Sequence, residues 1–403
     1  MPRVEISMLT SRSWFNGFGK HKIAGFSPGE ANGLGTERKK GIRRFLKTPK
    51  ETILVFRIGQ LGDTLVSLPA IRAIREAHPN AGLILLTDRH PGKGFVSSWE
   101  VFKPMGLFEE VYYSPSPNTD GAMLSLAREL RRLAPRMLYY LPPMPRTFWQ
   151  VIRDWIFFRG LCRIRHFVGL RPTPSYPIRG KNGSLPRMER ESDRLLAWIG
   201  NGLPEVNHGR VNQAPWLIPT SEDGAQIRAL LTQAGFLSYP LAAICPGAKK
   251  ETQRWPEERF CALGKLLLET YPDLRLLILG GQEDQRLGNY FSHSWGNACL
   301  NLAGILNVWE SAAALQLCSL YIGNDTGTMH LAASVGTPCV AIFSARENPG
   351  RWEPSGENHT IIRQDVPCEG CYRSSCIENN LACLKSIMVE AVNEKVSSYS
   401  FLK

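Results

Sequence analysis

The chain has 403 residues, 43% hydrophobic and 21% charged, which is long for a single core and excludes both wholesale disorder and an integral membrane protein. Its formal net charge of +12 is concentrated in two stretches, which suits a local anionic ligand better than a long polyanion, so no nucleic-acid partner is expected. Residues 1–30 lack the apolar core of about 7–15 residues that a leader needs, and no run reaches the roughly 20 apolar residues that span a bilayer, so a cytoplasmic protein is expected.

Residues 1–50 carry eleven Lys or Arg against three Glu in a Gly-rich stretch with little apolar periodicity, and read as a basic, disordered tail. Thr52 to Ile58 then forms an apolar, β-branched run, closed by Gly59-Gln60-Leu61-Gly62 and followed by a helical pattern from Thr64 to Ala77. Gly82 to Leu86 is a second strand, Ser125 to Leu133 a helix and Met137 to Leu141 a third strand. Trp149 to Leu161 gives an aromatic and basic helix, and Arg187 to Ile199 another. The second concentration of charge falls here, between Ser125 and Arg194, with fifteen basic residues against five acidic.

Around Gln213 to Thr220 the chain becomes irregular and Pro-containing, which marks a domain boundary. Alternation then restarts with strands at Leu241–Cys245, Leu274–Leu279, Leu320–Gly323 and Pro338–Phe343, and helices at Glu257–Thr270, Val308–Leu317 and Thr326–Val335. The pattern predicts an α/β protein of two Rossmann-like, doubly wound domains facing a central cleft. The expected division is a tail over 1–50, a first domain over 51–215, a second over 216–385, and a terminal helix and tail over 386–403.

Two segments carry chemistry. In Gly323-Asn324-Asp325-Thr326-Gly327-Thr328-Met329-His330, small and hydroxyl residues stand where a strand meets a helix start, and the free N–H groups of Gly327 and Thr328 suit a phosphate. Asp325 or Thr326 equally suits a plain N-cap, and a lone His330 suits a core position. In Arg57-Ile58-Gly59-Gln60-Leu61-Gly62-Asp63, the glycines allow close approach of a ligand, and Asp63 is placed either to take a proton from an attacking hydroxyl or to cap the next helix. Gly59 and Gly62 lack the third glycine of a dinucleotide fingerprint. Cys368, Cys371, Cys376 and Cys383 are compatible with structural zinc, disulfides or reduced loop thiols, the last favoured in a cytoplasmic setting, so no metal is expected. Cys245, Cys261, Cys299, Cys318 and Cys339 fall inside apolar patterns, where Cys acts as a small hydrophobe.

Arg57 to Asp63 with Thr64 to Ala70, Pro246-Gly247-Ala248 with Arg254-Trp255-Pro256, Gly280-Gly281 with Glu283-Asp284, Asn301 to Gly304, and Asn324 to His330 occur in an order that resembles the heptosyltransferases of glycosyltransferase family 9. Arg163 to Gly169 and Glu191-Ser192-Asp193-Arg194-Leu195 also look like that family's mid-chain pattern, and the likeness spans about residues 52–395. The resemblance implies a GT-B-type fold and an inverting transfer of heptose from ADP-L-glycero-D-manno-heptose to a lipopolysaccharide core acceptor. It implies that Asp63 is the catalytic base, that Asp325, Thr326 and Gly327 hold the donor phosphates with Thr328 and His330 beside them, and that Glu283 lies near the ribose. Gly247, Lys249 and Arg254 complete the implied donor set. Gln253 departs from the family, which carries Lys there; Arg254, Lys249 or Lys250 would then supply the positive charge.

The implied acceptor is an anionic, lipid-anchored sugar, met by Gly62, Arg146, Arg153 and Arg163, with Arg159 and Arg165 nearby. Trp149, Trp155, Phe157 and Phe158 suit a helix resting transiently on a membrane surface, or else an amphipathic core helix with a charged outer face. No cofactor is implied, since fixed hydrogen-bond donors can stabilise a leaving diphosphate, and closure of the domains would exclude water. The implied location is the inner face of the inner membrane, peripherally. Alternatives are a different nucleotide sugar for another surface glycan, or a catalytically silent relative that binds a nucleotide sugar.

Overall fold

The computed structural model of the chain describes residues 51–89, 94–115, 121–179, 185–203 and 215–399. The tail read at 1–50 lies outside the described residues, as do residues 213, 214 and 400–403.

The first domain runs β1 (Thr52–Phe56), α1 (Leu61–Leu65), α2 (Leu68–Ala77), β2 (Gly82–Asp88), α3 (Ser98–Phe102), β3 (Glu110–Ser114), α4 (Ala122–Leu133), β4 (Met137–Tyr140), α5 (Phe148–Trp155) and β5 (His166–Val168), then α6 (Glu191–Gly200). Its five strands lie in the order β3-β2-β1-β4-β5, all parallel. Ile53, Leu54 and Val55 are fully buried, which is why β1 reads as a continuous apolar run: helices cover both faces of the sheet. The helix expected from Thr64 to Ala77 begins at Leu61 and breaks at Val66-Ser67. Pro69 has no N–H for the carbonyl of Leu65 and would crowd it, so the chain restarts as α2 with Pro in its first turn. The helix expected from Trp149 to Leu161 is α5 followed by a π-helical turn, Ile156–Leu161.

The second domain runs α7 (Ser221–Gln233), β6 (Leu241–Cys245), α8 (Glu257–Thr270), β7 (Arg275–Ile278), α9 (Gln285–Trp295), β8 (Cys299–Asn301), α10 (Val308–Leu317), β9 (Leu320–Asn324), α11 (Gly327–Ser334), β10 (Cys339–Phe343), β11 (Thr360–Arg363) and α12 (Val389–Ser397). Its six parallel strands are ordered β8-β7-β6-β9-β10-β11. Asn307 caps α10, accepting from Trp309 N (2.8 Å) and Glu310 N (3.0 Å), while the Glu310 carboxylate accepts from Asn307 N at 2.7 Å. Four strands that sequence periodicity missed, β3, β5, β8 and β11, are the edges of the two sheets. Edge strands are short and half-solvated, so they lack the unbroken apolar run that betrays a central one.

Both sheets reverse strand order beside their first strand, between β1 and β4 and between β6 and β9, where doubly wound sheets open a crevice at the strand carboxyl ends. Those ends carry Arg57–Asp63 and Asn324–His330. The two crevices face each other because the domains pack directly: α1 lies on α11, and the Trp309 indole on α10 donates to the Glu100 carbonyl on α3 at 2.9 Å. One buried apolar cluster runs through this contact from Ile53 and Leu65 to Met329 and Ala243.

Candidate active site at the interdomain cleft

Asp63 stands in the short helix after β1. Its Oδ2 accepts from Gln60 N at 3.0 Å, so the capping role open to it in the sequence is real. Its carboxylate remains 26% exposed, and Oδ1 lies 3.6 Å from a guanidinium nitrogen of Arg57. Arg57 is fully buried and fixed, its Nε donating to the Asp63 carbonyl (3.0 Å) and another nitrogen to the Leu141 carbonyl (3.3 Å). Burial raises the Asp63 carboxyl above its ordinary value, opposed by Arg57 and the Gln60 N–H. A carboxyl raised in this way is a better proton acceptor than a fully solvated one.

Across the cleft, Thr326 precedes α11 in an extended conformation, and no side chain caps that helix. Its first N–H groups and its dipole are therefore open to an anion, flanked by the hydroxyls of Thr326 and Thr328, 2.8 Å apart. Asn324 is fully buried and joins the ends of β9 and β6 to the start of α8, accepting from Trp255 N (3.0 Å) and donating to the Pro246 carbonyl (2.7 Å). Gln253 donates to both the carbonyl and Oδ2 of Asp325 at 3.0 Å. Burial first, then the charge of Glu347, raises the Asp325 carboxyl to about 7, against Gln253, Arg346 and Lys250. His330 is buried, and burial with the nearby His359 lowers its imidazole to about 4, so the ring is neutral near pH 7.

The contact of the two helices is close because glycine faces it from both sides. A Cβ on Gly62 would come within 3.1 Å of His330 Cδ2, and one on Gly327 within 3.0 Å of Leu61 Cβ. Lys250 registers the charges of Arg346, Glu347, Asp325 and Asp63 together, so the acidic residues of both domains border one space.

A buried charge network locks this arrangement from behind. Arg194 grips Glu191 with two bonds of 2.9 and 2.7 Å, and Arg351 lies 3.6 Å from both Glu191 Oε2 and Glu347 Oε2. Arg351 also donates to the Tyr176 hydroxyl at 2.8 Å, and the Trp352 indole to Glu347 at 2.6 Å. Burial opposes ionisation of Glu191, yet Arg194, Arg351 and Arg57 together hold its carboxyl below the ordinary value. Glu191 N donates to the Arg351 carbonyl and Met188 N to that of Pro349, both at 2.8 Å, tying the first domain's last helix to the loop after β10.

The remaining residues expected at the site spread around the cleft. Gly247 follows β6 with the Asp284 carboxylate packed against it. Lys249 is exposed, its ammonium 5.7 Å above the ring of Phe95 in the first domain. Arg254 is exposed and donates to the Ala248 carbonyl at 2.6 Å, while Glu283 lies against Gly94 across the cleft. Arg146 is buried and paired with Asp154, its Nε donating to the Tyr140 hydroxyl at 2.7 Å, and Arg153 binds the other Asp154 oxygen at 2.8 and 3.0 Å. Both are therefore engaged internally. Arg163 is exposed, with φ of +62°. Phe157 and Phe158, expected at a surface, face the core. Arg346, Glu347 and Arg351 escaped the sequence reading, although the loop after β10 is itself a strand carboxyl end. Among the described residues, the four clustered cysteines are free thiols and no group of three or more His, Cys, Asp or Glu has the geometry to hold a metal. No helix among them is long and apolar enough to cross a membrane.

Residues 214–382 match the model of glycosyltransferase family 9 (heptosyltransferase). Over that span the chain resembles the family. It is similar to lipooligosaccharide heptosyltransferase 2 of Haemophilus influenzae, 29% identical over 174 residues, which are 42% of this chain and 49% of that protein, so the chain spans about half the length of that curated relative. Lipooligosaccharide heptosyltransferase 2 of Campylobacter jejuni is 27% identical over 344 residues, 84% of this chain and 95% of the relative. The solved structure of E. coli ADP-heptose lps heptosyltransferase II superposes with a TM-score of 0.59 at 19% identity, covering 86% of this chain and 98% of that one. These likenesses agree with the observed topology: the fold is GT-B-type, with two Rossmann-like domains.

Proposed function

We propose that this chain is a member of glycosyltransferase family 9, an inverting glycosyltransferase that moves a heptose from ADP-heptose to a lipopolysaccharide core acceptor at the cytoplasmic side of a membrane. The observation that carries the reading is the packing of α1 on α11, which sets a raised carboxyl of one domain opposite the uncapped helix start of the other. In this reading the diphosphate lies on the N–H groups of Gly327 and Thr328, with Thr326, Thr328, Lys249, Lys250 and Arg254 around it. The developing charge on the leaving diphosphate meets fixed donors, which need no reorganisation during the reaction. Asp63 removes the proton of the acceptor hydroxyl as that oxygen attacks the anomeric carbon from the face opposite the diphosphate, which inverts the configuration. Gly247 and Glu283 border the nucleotide, and Gly62 and Arg163 the acceptor. The names of the relatives support the choice of heptose and of ADP.

A screen of nucleotide sugars, read by nucleotide release with acceptor present, tests this reading. ADP-heptose is expected to give the fastest release, and preference for a different nucleotide or sugar overturns the donor assignment. Gln253 favours a second reading, a silent relative, in which ADP-heptose binds but no donor in the screen is turned over.

A further inference from the structure

A helix on the surface of a globular domain ordinarily turns its apolar stripe inward and its charges outward. α5 does the reverse. Its acid, Asp154, is buried and held by Arg146, Arg153 and Tyr140, while Phe148, Trp149, Ile152, Trp155 and Ile156 point outward. Trp149 is 76% exposed and Trp155 48%. The spacing of these residues puts them on one face of the helix. Asp154 is also the sole acidic residue between 145 and 166, so the segment that carries the stripe contributes no exposed negative charge. Arg159, Arg163 and Arg165 border it, exposed and without an ion pair among the described residues.

From this we infer that the outer face of α5 and its π-helical turn docks on an anionic lipid bilayer, with the aromatic residues at the level of the acyl boundary and the arginines among the headgroups. Indole rings and arginines on one helix face match the chemistry of an interfacial helix. A second copy of the chain fits less well, since a face-to-face pair would bring two sets of unpaired arginines together. The inference deepens the proposed function by supplying the surface on which a lipid-anchored acceptor would be met. Adsorption itself requires no turnover, so the two can fail separately.

The test is co-sedimentation of the full chain with vesicles of phosphatidylcholine alone and of phosphatidylcholine mixed with phosphatidylglycerol. Binding is expected only to the anionic vesicles and is expected to fall as salt rises. The double variant Trp149→Ser, Trp155→Ser changes exposed side chains only, so its circular dichroism and melting are expected to be unchanged, while its partitioning drops roughly tenfold or more for the lost apolar insertion. Arg159→Gln with Arg165→Gln is expected to weaken binding and flatten its salt dependence. Equal binding by native chain and both variants overturns the inference, as does binding that ignores lipid charge. Self-association that the tryptophan variant abolishes, with no vesicle binding, also overturns it and assigns the face to a second copy. Vesicle binding by a chain that turns over no donor upholds the docking face and rejects the transferase.

Discussion

The Gln253→Lys substitution restores the residue that the family resemblance calls for, and its effect can be worked out from Asp325. Folding raises that carboxyl from its ordinary 3.8 to about 7, so the folded state favours the protonated form. The sign follows from linkage: stability is highest below about pH 4, declines as pH climbs toward about 7, then levels, because deprotonation costs more in the folded chain than in the unfolded one. The ceiling on this loss is about 4 kcal/mol at 1.36 kcal/mol per pH unit. Asp325 is partly exposed, and solvent screening leaves about 1–2 kcal/mol of it. The Gln253 amide sits 3.0 Å from Asp325 Oδ2, so an ammonium in its place compensates the charge and removes most of the loss. At 2–4 °C per kcal/mol for a domain of this size, the melting temperature of the variant relative to the native chain should rise by about 2–6 °C between about pH 5 and pH 8. Differential scanning calorimetry at the two pH values measures this directly. A difference that is flat across that range, or that shrinks as pH rises, refutes the electrostatic account of Asp325.

Three further outcomes follow from buried groups. Glu191→Gln leaves Arg194 without its carboxylate and Arg351 with Glu347 alone, and should cost about 3–5 kcal/mol, read as a lowered urea midpoint; a change under about 1 kcal/mol would mean the network is idle. Asn324→Ala strands Trp255 N and the Pro246 carbonyl and should cost about 2–4 kcal/mol, with donor binding weakened because the strand ends separate. His330, lowered to about 4, should show no imidazole titration by NMR above about pH 5.5. Because the folded state favours the neutral ring, His330 destabilises the fold only as pH drops below about 6.5, and a titration near that value contradicts its burial.

Central strands and the glycine-edged turns at their ends were legible because their residues obey local rules. β1, β6, β9 and β10 are unbroken apolar runs buried on both faces, and the segments that follow them carry the small residues a close contact demands. The edge strands were not legible, since β3 and β5 are half-solvated and their residues look like loop. Asp63, Asp325 and His330 could be named from sequence, because each follows a strand that ends at a cleft. The Glu191, Arg351 and Glu347 network could not: Glu191 is 160 residues from Arg351, and an Arg that pairs across domains is indistinguishable in sequence from a solvated one. The basic stretch from Ser125 to Arg194 misled in detail for the same reason. Arg146 and Arg153 serve the buried Asp154 and Arg194 serves Glu191, whereas Arg159, Arg163 and Arg165 are exposed and without an ion pair among the described residues.

The central claim is that a carboxylate from the first domain and a diphosphate held by the second take part in one reaction. Steady-state release of ADP from ADP-heptose with acceptor present, comparing the native chain with Asp63→Asn, tests it most directly. Asparagine keeps the shape and can still accept from Gln60 N, so the account predicts a kcat lowered by about 10²–10⁴ with little change in the KM for donor. Equal kcat values in the two proteins would contradict it.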